Sequence, residues 1–588
     1  VDVPGDGITV GSQLALTFHT TAVTVQAADI DGGRVAGVSV SYMASWTRSI
    51  GTTLAPSGTA TAELFPGTFT FSVGYNGTSA QQEATVTGDG AAAGATTLVA
   101  FAPTKVTLWY NGVGTAISYM AGWTRSVTTP TAFWMFPGDY TFTFAHGSWP
   151  ISTVQQSLTI PAGRYRANVV VLKVLDSTDT VIAPSAAQVY TGTWQNATVD
   201  PTSRMALAVL PGASMLGTTA CSATVGVTRQ EKSQNLAANS IVEFRAVGVT
   251  VEIVSSAGEQ LDGSAQIYAS GWQPYAATPT VMSLLPGTYT FAAAYAGGRQ
   301  EKTAQIGLNG EKTQRVTFAT KLVTFDLLSS TLGNLPGTAQ YYASGWKTFA
   351  DGNTGTSMEL LPISYSFAVT YLGARAEKTQ NVASNSAVSF ATVPVDLKLL
   401  SSTGDPLAGT AEFYASGWHE FGNTNTTLEL LPVSYSFAVS YIGARQEKTQ
   451  NVAVNPTVEF RTVPVTMMLL SSTGAELTGA AQYYANGWRA FDPANTTTTM
   501  ELLPVSYTFA VTYLGARNEV TQNAGTNPVV TFRTAQVIGA TCTSFYASGW
   551  KSFTSGMELL PGSYTFAYGS AGPNQTRTIA LGVTNNVG

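Results

Sequence analysis

The amino-acid sequence predicts an all-β protein built as a tandem array of eight small β-sandwich repeats. A Tyr-Ala-Ser-Gly-Trp string or a close variant returns eight times, at intervals of 62 to 78 residues. A Leu-Pro or Phe-Pro step follows each string. Between these landmarks large apolar residues alternate with small polar ones, and no stretch has sustained helical spacing. A repeat of this length with a period of two is typical of a β-sandwich module.

The strand pattern is clearest in repeat 6. Tyr435, Phe437, Val439 and Tyr441 alternate there with serine and alanine. One face of the strand therefore carries the large apolar groups. Turn signals such as Ser-Thr-Gly and Pro-Gly punctuate the repeats. Short strands separated by such turns predict about seven strands per repeat, arranged as two sheets around an apolar core.

The spacing of the landmarks predicts where each repeat begins and ends. We expect an N-terminal strand in residues 1–20, followed by eight repeats. The predicted repeats are 21–102, 103–170, 171–246, 247–320, 321–392, 393–462, 463–534 and 535–588. Repeat 8 is the shortest of them and is expected to form an incomplete sandwich.

The composition excludes several functional classes. Charged residues make up 11% of the 588 residues, the net charge is −6 and no basic block is present, so a nucleic-acid partner is not expected. No apolar run is long enough to span a bilayer. His19, His146, His419, Cys221 and Cys542 are far apart in sequence, so we expect no metal site, cofactor or disulfide framework. The chain is therefore not predicted to be an enzyme.

The repeat resembles the Ig-like or prealbumin-like β-sandwich repeats of prokaryotic extracellular proteins. A Leu-Pro-Gly-x-Tyr-x-Phe string carries the resemblance at 285–291 and 560–566, together with a Gly-x-Ala pair at the start of the second strand. The carboxypeptidase-regulatory-like and Cna-type B domains are the families it is most similar to. With its low charge and near absence of cysteine, the chain is expected to be secreted and located at the cell surface. Because no signal peptide is visible at Val1, we expect either a mature form or a sequence from which the leader is missing.

The two ends of the chain are out of phase with the repeat. Residues 13–20 match the last strand of repeat 6, residues 455–462, but precede repeat 1. Leu14, Leu16 and Phe18 would be the inward-facing residues of this strand. Repeat 8 reaches the asparagine that precedes a last strand and then lacks the Val-x-Phe pattern. A sandwich without one strand leaves unpaired backbone groups, which favours strand addition from another copy, as in donor-strand pilins.

We therefore expect repeat 8 of one copy to accept the N-terminal strand of the next copy. The predicted acceptor residues are Trp550, Tyr564, Phe566, Tyr568, Ile579 and Leu581. Head-to-tail contacts of this kind grow filaments. The predicted function is that of a structural subunit of an extracellular filament or surface fibre, with the chain itself as its partner. The alternative is a monomeric adhesin stalk or a carbohydrate-binding repeat array on a prokaryotic cell surface.

The recurring tryptophan has two interpretations. Exposed aromatic rings bind sugars, which would make surface glycans a second partner. We favour the other interpretation, in which one large aromatic residue per repeat fills a small core. The predicted repeat-core aromatics are Trp46, Trp123, Trp194, Trp272, Trp346, Trp418 and Trp488. Any surface aromatic patch is expected in repeat 2, which also contains Trp109, Trp134 and Trp149.

Charged residues also recur at fixed positions. Glutamates precede the Leu-Pro step at Glu359, Glu429, Glu501 and Glu558, and arginines stand two residues before a glutamate at Arg375, Arg445 and Arg517. Repeated carboxylates without a neighbouring histidine or nucleophile do not suit catalysis, and their spacing is not that of a calcium loop. We expect these residues to take part in cross-strand ion pairing, with Arg445 and Glu447 on one face of the same strand.

Overall fold

A computed structural model describes residues 16–53, 56–90, 92, 94–110, 115–119, 125–127, 131–146 and 153–588. Strands and the turns between them make up this part of the chain, and its one helical element is a 3-10 turn at Gly569–Ala571. The strands form small sheets of three or four strands in tandem, except for one larger sheet in repeats 2 and 3. The predicted fold class, an all-β array of small sandwich repeats, is confirmed.

The first three repeats contain β1 to β22. In repeat 1 the strands are β1 Thr21–Ala27, β2 Ser39–Met43, β3 Thr47–Thr52, β4 Thr59–Leu64, β5 Gly67–Tyr75, β6 Thr78–Val86 and β7 Thr97–Phe101. Repeat 2 has β8 Thr104–Trp109, β9 Thr115–Tyr119, β10 Arg125–Val127, β11 Thr131–Met135, β12 Gly138–His146 and β13 Thr153–Ile160. The long strand β14 Arg164–Leu175 crosses the predicted boundary between repeats 2 and 3. Repeat 3 continues with β15 Val181–Ile182, β16 Ala186–Tyr190, β17 Trp194–Asn196, β18 Thr198–Val199, β19 Ala206–Pro211, β20 Thr218–Val225, β21 Thr228–Asn235 and β22 Ile241–Arg245.

Repeats 4 to 6 contain β23 to β44. Repeat 4 has β23 Val247–Val254, β24 Gln260–Leu261, β25 Ser264–Tyr268, β26 Trp272–Ala277, β27 Thr280–Leu284, β28 Gly287–Tyr295, β29 Gly298–Ile306 and β30 Thr313–Ala319. Repeat 5 has β31 Lys321–Leu328, β32 Thr338–Tyr342, β33 Trp346–Asn353, β34 Thr356–Leu360, β35 Ser364–Tyr371, β36 Ala374–Asn381 and β37 Ala387–Ala391. Repeat 6 has β38 Val393–Leu400, β39 Thr410–Tyr414, β40 Trp418–Asn423, β41 Thr426–Leu430, β42 Ser434–Tyr441, β43 Ala444–Asn451 and β44 Thr457–Arg461.

Repeats 7 and 8 contain the remaining strands. Repeat 7 has β45 Val463–Leu470, β46 Ala480–Tyr484, β47 Trp488–Asn495, β48 Thr498–Leu502, β49 Ser506–Tyr513, β50 Ala516–Asn523 and β51 Val529–Arg533. Repeat 8 has β52 Ala535–Ile538, β53 Ser544–Tyr546, β54 Trp550–Ser552, β55 Met557–Leu559, β56 Gly562–Ala567, β57 Gln575–Ile579 and β58 Asn585–Asn586.

Repeat 6 shows the topology that the array uses. Its first sheet has the order β41-β38-β44, and its second has the order β40-β39-β42-β43. The first strand pairs with the fourth in antiparallel fashion and with the last in parallel fashion, with Leu397 opposite Val458. Phe437 and Val439 in β42 are fully buried, as the period of two predicts. The core therefore lies between the two sheets.

The fold divides into two compact units. The first consists of Val1–Val254, Gly258–Tyr295 and Arg299–Phe318, and the second consists of Ser255–Ala257, Ala296–Gly298 and Ala319–Gly588. In the second unit the cores of repeats 5, 6 and 7 form one continuous apolar cluster. In the first unit the clusters are smaller and are centred on repeats 1, 2 and 3.

The residue before the proline of the Leu-Pro step connects neighbouring cores. Leu560 of repeat 8 is fully buried in the apolar cluster of repeat 7, and Leu285 of repeat 4 is buried in that of repeat 3. Phe136 of repeat 2 is buried in the same way in the cluster of repeat 1. Burial of one such side chain contributes about 1.5–3 kcal/mol. In these three repeats the residue before the proline therefore inserts into the core of the repeat before it.

Candidate functional site

The last strand of each repeat leads directly into the first strand of the next repeat. In repeat 6, β44 ends at Arg461, and β45 of repeat 7 begins at Val463. Val458 and Phe460 of β44 are buried in the core of repeat 6. The single strand β14 is both the last strand of repeat 2 and the first strand of repeat 3, because it pairs in parallel with β8 of repeat 2 and with β22 of repeat 3. A last strand therefore supplies apolar side chains to the repeat that precedes the junction.

The N-terminal segment, described from residue 16 to residue 20, leads directly into β1, as a last strand leads into the first strand of the next repeat. In this segment Leu16 is 53% exposed and Phe18 is 68% exposed, and residues 16–20 form no strand. Phe18 contacts the edge of Phe65, with the ring centroids 6.3 Å apart, and the His19 amide donates to the carbonyl of Gly90. Leu14, the third predicted donor residue, lies outside the described residues. Two apolar side chains in the pattern of a last strand are thus largely exposed.

Repeat 8 differs from the expectation that it lacks a last strand. The short strand β58 lies parallel to β52, with Val537 opposite Asn585 and Ile538 opposite Asn586. Val587 is buried, and its carbonyl accepts a hydrogen bond from the hydroxyl of Tyr568. The strand β52 has only four residues. Its edge is covered by two ladder pairs with β58 and by the side chain of Val587. The full last strands of repeats 5, 6 and 7 make five ladder pairs each.

The predicted acceptor residues fall into two groups. Four of them are buried in the core of repeat 8: Tyr564, Phe566, Tyr568 and Ile579. Trp550 and Leu581 are exposed and lie outside this core. Leu581 and Val583 instead line a shallow groove between the C-terminal segment and the Arg533–Gln536 connection from repeat 7. Repeat 8 therefore has a filled core and a short, weakly paired last strand.

The glutamate before the Leu-Pro step connects two repeats. The Glu429 carboxylate in repeat 6 accepts hydrogen bonds from the amide and hydroxyl of Ser330 in repeat 5, and from the hydroxyl of Thr392 between the repeats. The same three-part contact recurs at three other junctions. These are Glu359 with Ser256 and Thr320, Glu501 with Ser402 and Thr462, and Glu558 with Ser472 and Thr534. In the described part of the chain no lysine or arginine pairs with these glutamates, so the predicted ion pairs are wrong for them.

At Glu429 and Glu558 these hydrogen bonds favour the ionised carboxylate. Partial burial on its own would raise the pKa of Glu429, but the bonds donated by Ser330 and Thr392 outweigh it and hold the pKa below its ordinary value. The pKa of Glu558 is lowered by the same balance, with Ser472 and Thr534 as donors. Because the folded-state pKa is the lower one, the contact stabilises the junction fully above the unfolded pKa of about 4.3. The stabilisation is lost as the pH falls through the folded-state pKa.

Replacing Glu429 with alanine is expected to loosen the junction between repeats 5 and 6. The loss of charge-assisted hydrogen bonds at a partly exposed site costs about 1–2 kcal/mol. Hydrogen exchange of β38 and β41, measured at pH 7 in the full chain, should then be faster. Glu447→Ala removes an exposed ion pair of the same repeat and is the matched control, with an expected cost below about 0.5 kcal/mol.

The pH dependence of hydrogen exchange tests whether the ionised carboxylate stabilises the junction. In the unaltered chain, exchange at this junction should accelerate between about pH 5 and pH 3 beyond the intrinsic change. In Glu429→Gln this additional acceleration should be absent. Equal pH profiles for the two chains would contradict the assigned role of the carboxylate.

The recurring tryptophans lie on the surface, which corrects the prediction that they fill the core. Trp418 is 39% exposed, and Trp46, Trp346, Trp488 and Trp550 are exposed as well. Trp194 and Trp272 are half-buried, and Trp123 lies outside the described residues. The reason is strand alternation: Trp418 and Glu420 lie on the outer face of β40, and Phe421 lies on the inner face. Phe421 packs against Phe437 at 6.2 Å and fills the core position.

A tyrosine and an arginine accompany the exposed tryptophan. In repeat 6 the rings of Tyr414 and Trp418 meet nearly at right angles, with centroids 5.6 Å apart. The guanidinium of Arg445 lies over the Trp418 ring at 4.1 Å, and this arginine pairs with Glu447 at 3.1 Å and with Glu412 at 3.2 Å. The predicted pairing of Arg445 with Glu447 is therefore confirmed, as are those of repeats 5 and 7. We call each such set of tyrosine, tryptophan and arginine an aromatic platform.

The aromatic residues of repeat 2 have a different role from the expected surface patch. Trp134 is half-buried, and its indole Nε1 donates to Asp29 of repeat 1 at 3.1 Å. Trp134 stands at the position in repeat 2 that Glu429 has in repeat 6. At this junction the later repeat therefore supplies the donor and the earlier repeat the acceptor, which is the reverse of the Glu429 contact. Trp109 is half-buried, and Trp149 lies outside the described residues.

The described residues include no other arrangement with evident chemistry. Among them, no group of three or more His, Cys, Asp or Glu side chains is placed to hold a metal ion. No helix within these ranges has the length and apolar character needed to cross a membrane. Cys221 and Cys542 are buried free thiols, and burial raises the pKa of Cys221 to about 11. A thiol with so high a pKa stays protonated at neutral pH and is a poor nucleophile.

Comparison with known proteins gives distant structural likenesses. No family model matches the chain, and no curated protein matches it. BcpA, the major pilin subunit of Bacillus cereus, is similar at 11% identity and a TM-score of 0.17, over 51% of this chain and 99% of that chain. The pilus adhesin SpaC from Lactobacillus rhamnosus GG has 10% identity and a TM-score of 0.16, over 51% of this chain and 42% of that chain. The major pilin RrgB from Streptococcus pneumoniae has 10% identity and a TM-score of 0.12, over 64% of this chain and 99% of that chain. TM-scores this low do not decide the function.

Proposed function

We propose that the chain is a structural subunit of an extracellular filament or surface fibre on a prokaryotic cell, and that its copies join head to tail. In this proposal the N-terminal segment of one copy adds as a strand to repeat 8 of the next copy. The observation that carries the proposal is the exposure of Leu16 and Phe18, two apolar residues in the sequence pattern of a buried last strand. The chain's own tandem packing, in which a last strand supplies core residues to the repeat on the N-terminal side of its junction, supports this use of the segment.

The short strand β58 is the element that the incoming strand would replace. In the register that β44 keeps with β38, Leu16 takes the place of Val587. Burial of Leu16 and Phe18 contributes about 1.5–3 kcal/mol each, which exceeds the loss of one valine and two ladder pairs. Strand addition supplies main-chain hydrogen bonds as well. The exchange is a heterologous contact, and such contacts propagate into fibres when they do not close.

The mass of the purified chain in solution tests the proposal. Light scattering and negative-stain microscopy should find species heavier than the 61.5 kDa single chain, and fibres at high concentration. The double variant Leu16→Asp, Phe18→Asp and the deletion of residues 1–20 should both be single chains. Val454→Asp is the matched control, because this loop valine of repeat 6 is 83% exposed and has no part in the contact.

Each outcome decides between the two functions. Assembly that persists after the deletion would overturn strand addition by the N-terminal segment. Single chains at every concentration, before any change, would contradict the filament and favour a monomeric adhesin stalk. Loss of assembly in Val454→Asp as well would show that exposed apolar residues in general drive the association.

A further inference from the structure

The aromatic platforms form a repeated surface feature that filament assembly does not use. In repeats 3 to 8 a tyrosine lies four residues before the tryptophan, and the two rings meet with centroids 5.4 to 5.6 Å apart. In repeats 5, 6 and 7 both rings are exposed. An exposed tryptophan costs solvation free energy that a buried one would not. The recurrence of an exposed tryptophan at the same outward position indicates that it binds a ligand.

Each complete platform is held in a fixed geometry. In repeat 5 the guanidinium of Arg375 lies 4.2 Å from the centre of the Trp346 ring. The same arginine donates to Gln340 and to Glu377, at 2.6 Å and 2.7 Å. Repeat 7 has the same arrangement in Arg517, Gln482 and Glu519. Because the side chains are already ordered by each other, a ligand that binds them loses little of its binding free energy to ordering.

The chemistry of the platform selects an uncharged ligand with an apolar face and a polar rim. In repeats 5 and 7 the arginine and one glutamate neutralise each other, which favours neither a strongly acidic nor a strongly basic ligand. In repeat 6 Arg445 pairs with two glutamates, which also disfavours an acidic ligand. The tyrosine and tryptophan rings offer an apolar surface. Around them the glutamine amide of repeats 5 and 7 can donate and accept hydrogen bonds, and the carboxylate oxygens can accept them. A hexopyranose ring has this combination, with C–H groups on its face and hydroxyls around its edge.

We propose that the platforms of repeats 5, 6 and 7 bind a neutral glycan, with one sugar ring at each exposed aromatic pair. The glycine before each tryptophan leaves the approach open, since a Cβ atom built on Gly345, Gly417 or Gly487 meets nothing within 4 Å. Platforms on consecutive repeats suit a chain of similar sugar units, because binding at one platform raises the effective concentration at the next.

A second copy of the chain fits the platforms less well than a glycan. Protein interfaces use contiguous apolar patches of a few hundred Å² or more. Each platform presents two rings bordered by an ion pair, and the neighbouring outward positions of the strand carry polar residues such as Glu420. The inference does not depend on the head-to-tail contact, which involves residues of the N-terminal segment and repeat 8 only.

Calorimetric titration of the full chain with uncharged oligosaccharides tests the proposal. The probes are cellohexaose and chitohexaose, with oligogalacturonate as the charged comparison. We expect binding of a neutral probe, and a loss of about a hundredfold or more in affinity for the triple variant Trp346→Ala, Trp418→Ala, Trp488→Ala, because the contributions of linked sites multiply. The matched control replaces Leu308, Leu332 and Val454 with alanine, since these are exposed apolar residues outside the platforms. The circular dichroism of both variants should equal that of the unaltered chain.

Repeat 8 provides an internal comparison. Its Tyr546 and Trp550 rings meet at 5.5 Å, but among the described residues no arginine is found over the indole. Trp550→Ala should therefore lower the affinity less than Trp418→Ala does. Equal affinity of the unaltered chain and the triple tryptophan variant would overturn the proposal, as would the absence of binding to either neutral probe or a preference for oligogalacturonate. Loss of self-association in the triple variant without any sugar binding would overturn it in favour of a second copy as the occupant.

Discussion

Replacing Phe437 with alanine is expected to destabilise repeat 6 by about 3–5 kcal/mol, the usual cost of removing a buried phenylalanine. The Phe437 side chain is fully buried at the centre of β42. Its ring packs against Tyr435 at 5.8 Å and against Phe421 at 6.2 Å, and Phe413 lies opposite it in β39. Alanine would leave a cavity between the two sheets that these neighbours cannot fill without leaving their strands.

The effect should extend to the neighbouring repeats. The cores of repeats 5, 6 and 7 belong to one apolar cluster, so loss of packing in repeat 6 removes support from both sides. In tandem arrays stability is the sum of repeat and nearest-neighbour terms. Hydrogen exchange of Phe437→Ala should therefore be fastest in β42 and β43, intermediate in repeats 5 and 7, and unchanged in repeat 1. Phe437→Leu keeps most of the volume and is the control, with a cost below about 1.5 kcal/mol. Uniform destabilisation of all repeats would contradict the nearest-neighbour description.

Phe437 also shows what the sequence predicts well. Its inward orientation follows from the period of two along 434–441, because alternate residues of a strand face opposite sides of the sheet. The all-β class and the Arg445–Glu447 pair follow from similarly local patterns. Such features depend on residues close together in one strand, and the spacing of those residues fixes their relative directions.

Trp418 shows the limit of residue size as a guide to burial. Its size and recurrence predict a core position, but size does not decide which face of a strand a residue occupies. Counting forward from Trp418 places Glu420 on its face and Phe421 on the other, and the glutamate indicates that this shared face is the outer one. Counting along one strand does not predict the role of Glu429, because its partner Ser330 is 99 residues away in the preceding repeat. Contacts between repeats leave no periodic pattern in either strand.

Replacing Gly443 with alanine is expected to disrupt the junction between repeats 6 and 7. Gly443 lies in the turn between β42 and β43 with a φ of +92°, a region that costs an L-residue about 1–2 kcal/mol. A Cβ atom at this position would also lie 2.5 Å from the carbonyl oxygen of Ala485 and from the Nε of Arg489 in repeat 7. Ala485 belongs to the Tyr-Ala-Asn-Gly-Trp turn of repeat 7. The tip of the β42–β43 hairpin in repeat 6 therefore packs against this turn. Overpacking adds about 1–3 kcal/mol to the backbone cost.

Gly404 separates the two contributions to this effect. It lies in the same repeat with a φ of +96°, but a Cβ atom built there meets nothing within 4 Å. Gly404→Ala should therefore show the backbone cost alone, of about 1–2 kcal/mol, and should leave exchange in β46 and β47 unchanged. Gly443→Ala should accelerate exchange on both sides of the junction, in β43 and in β46. If the two variants gave the same exchange pattern, the hairpin tip would have no role in joining the repeats, and the Glu501 contact and the buried Leu503 of the Leu-Pro step would have to hold this junction without it.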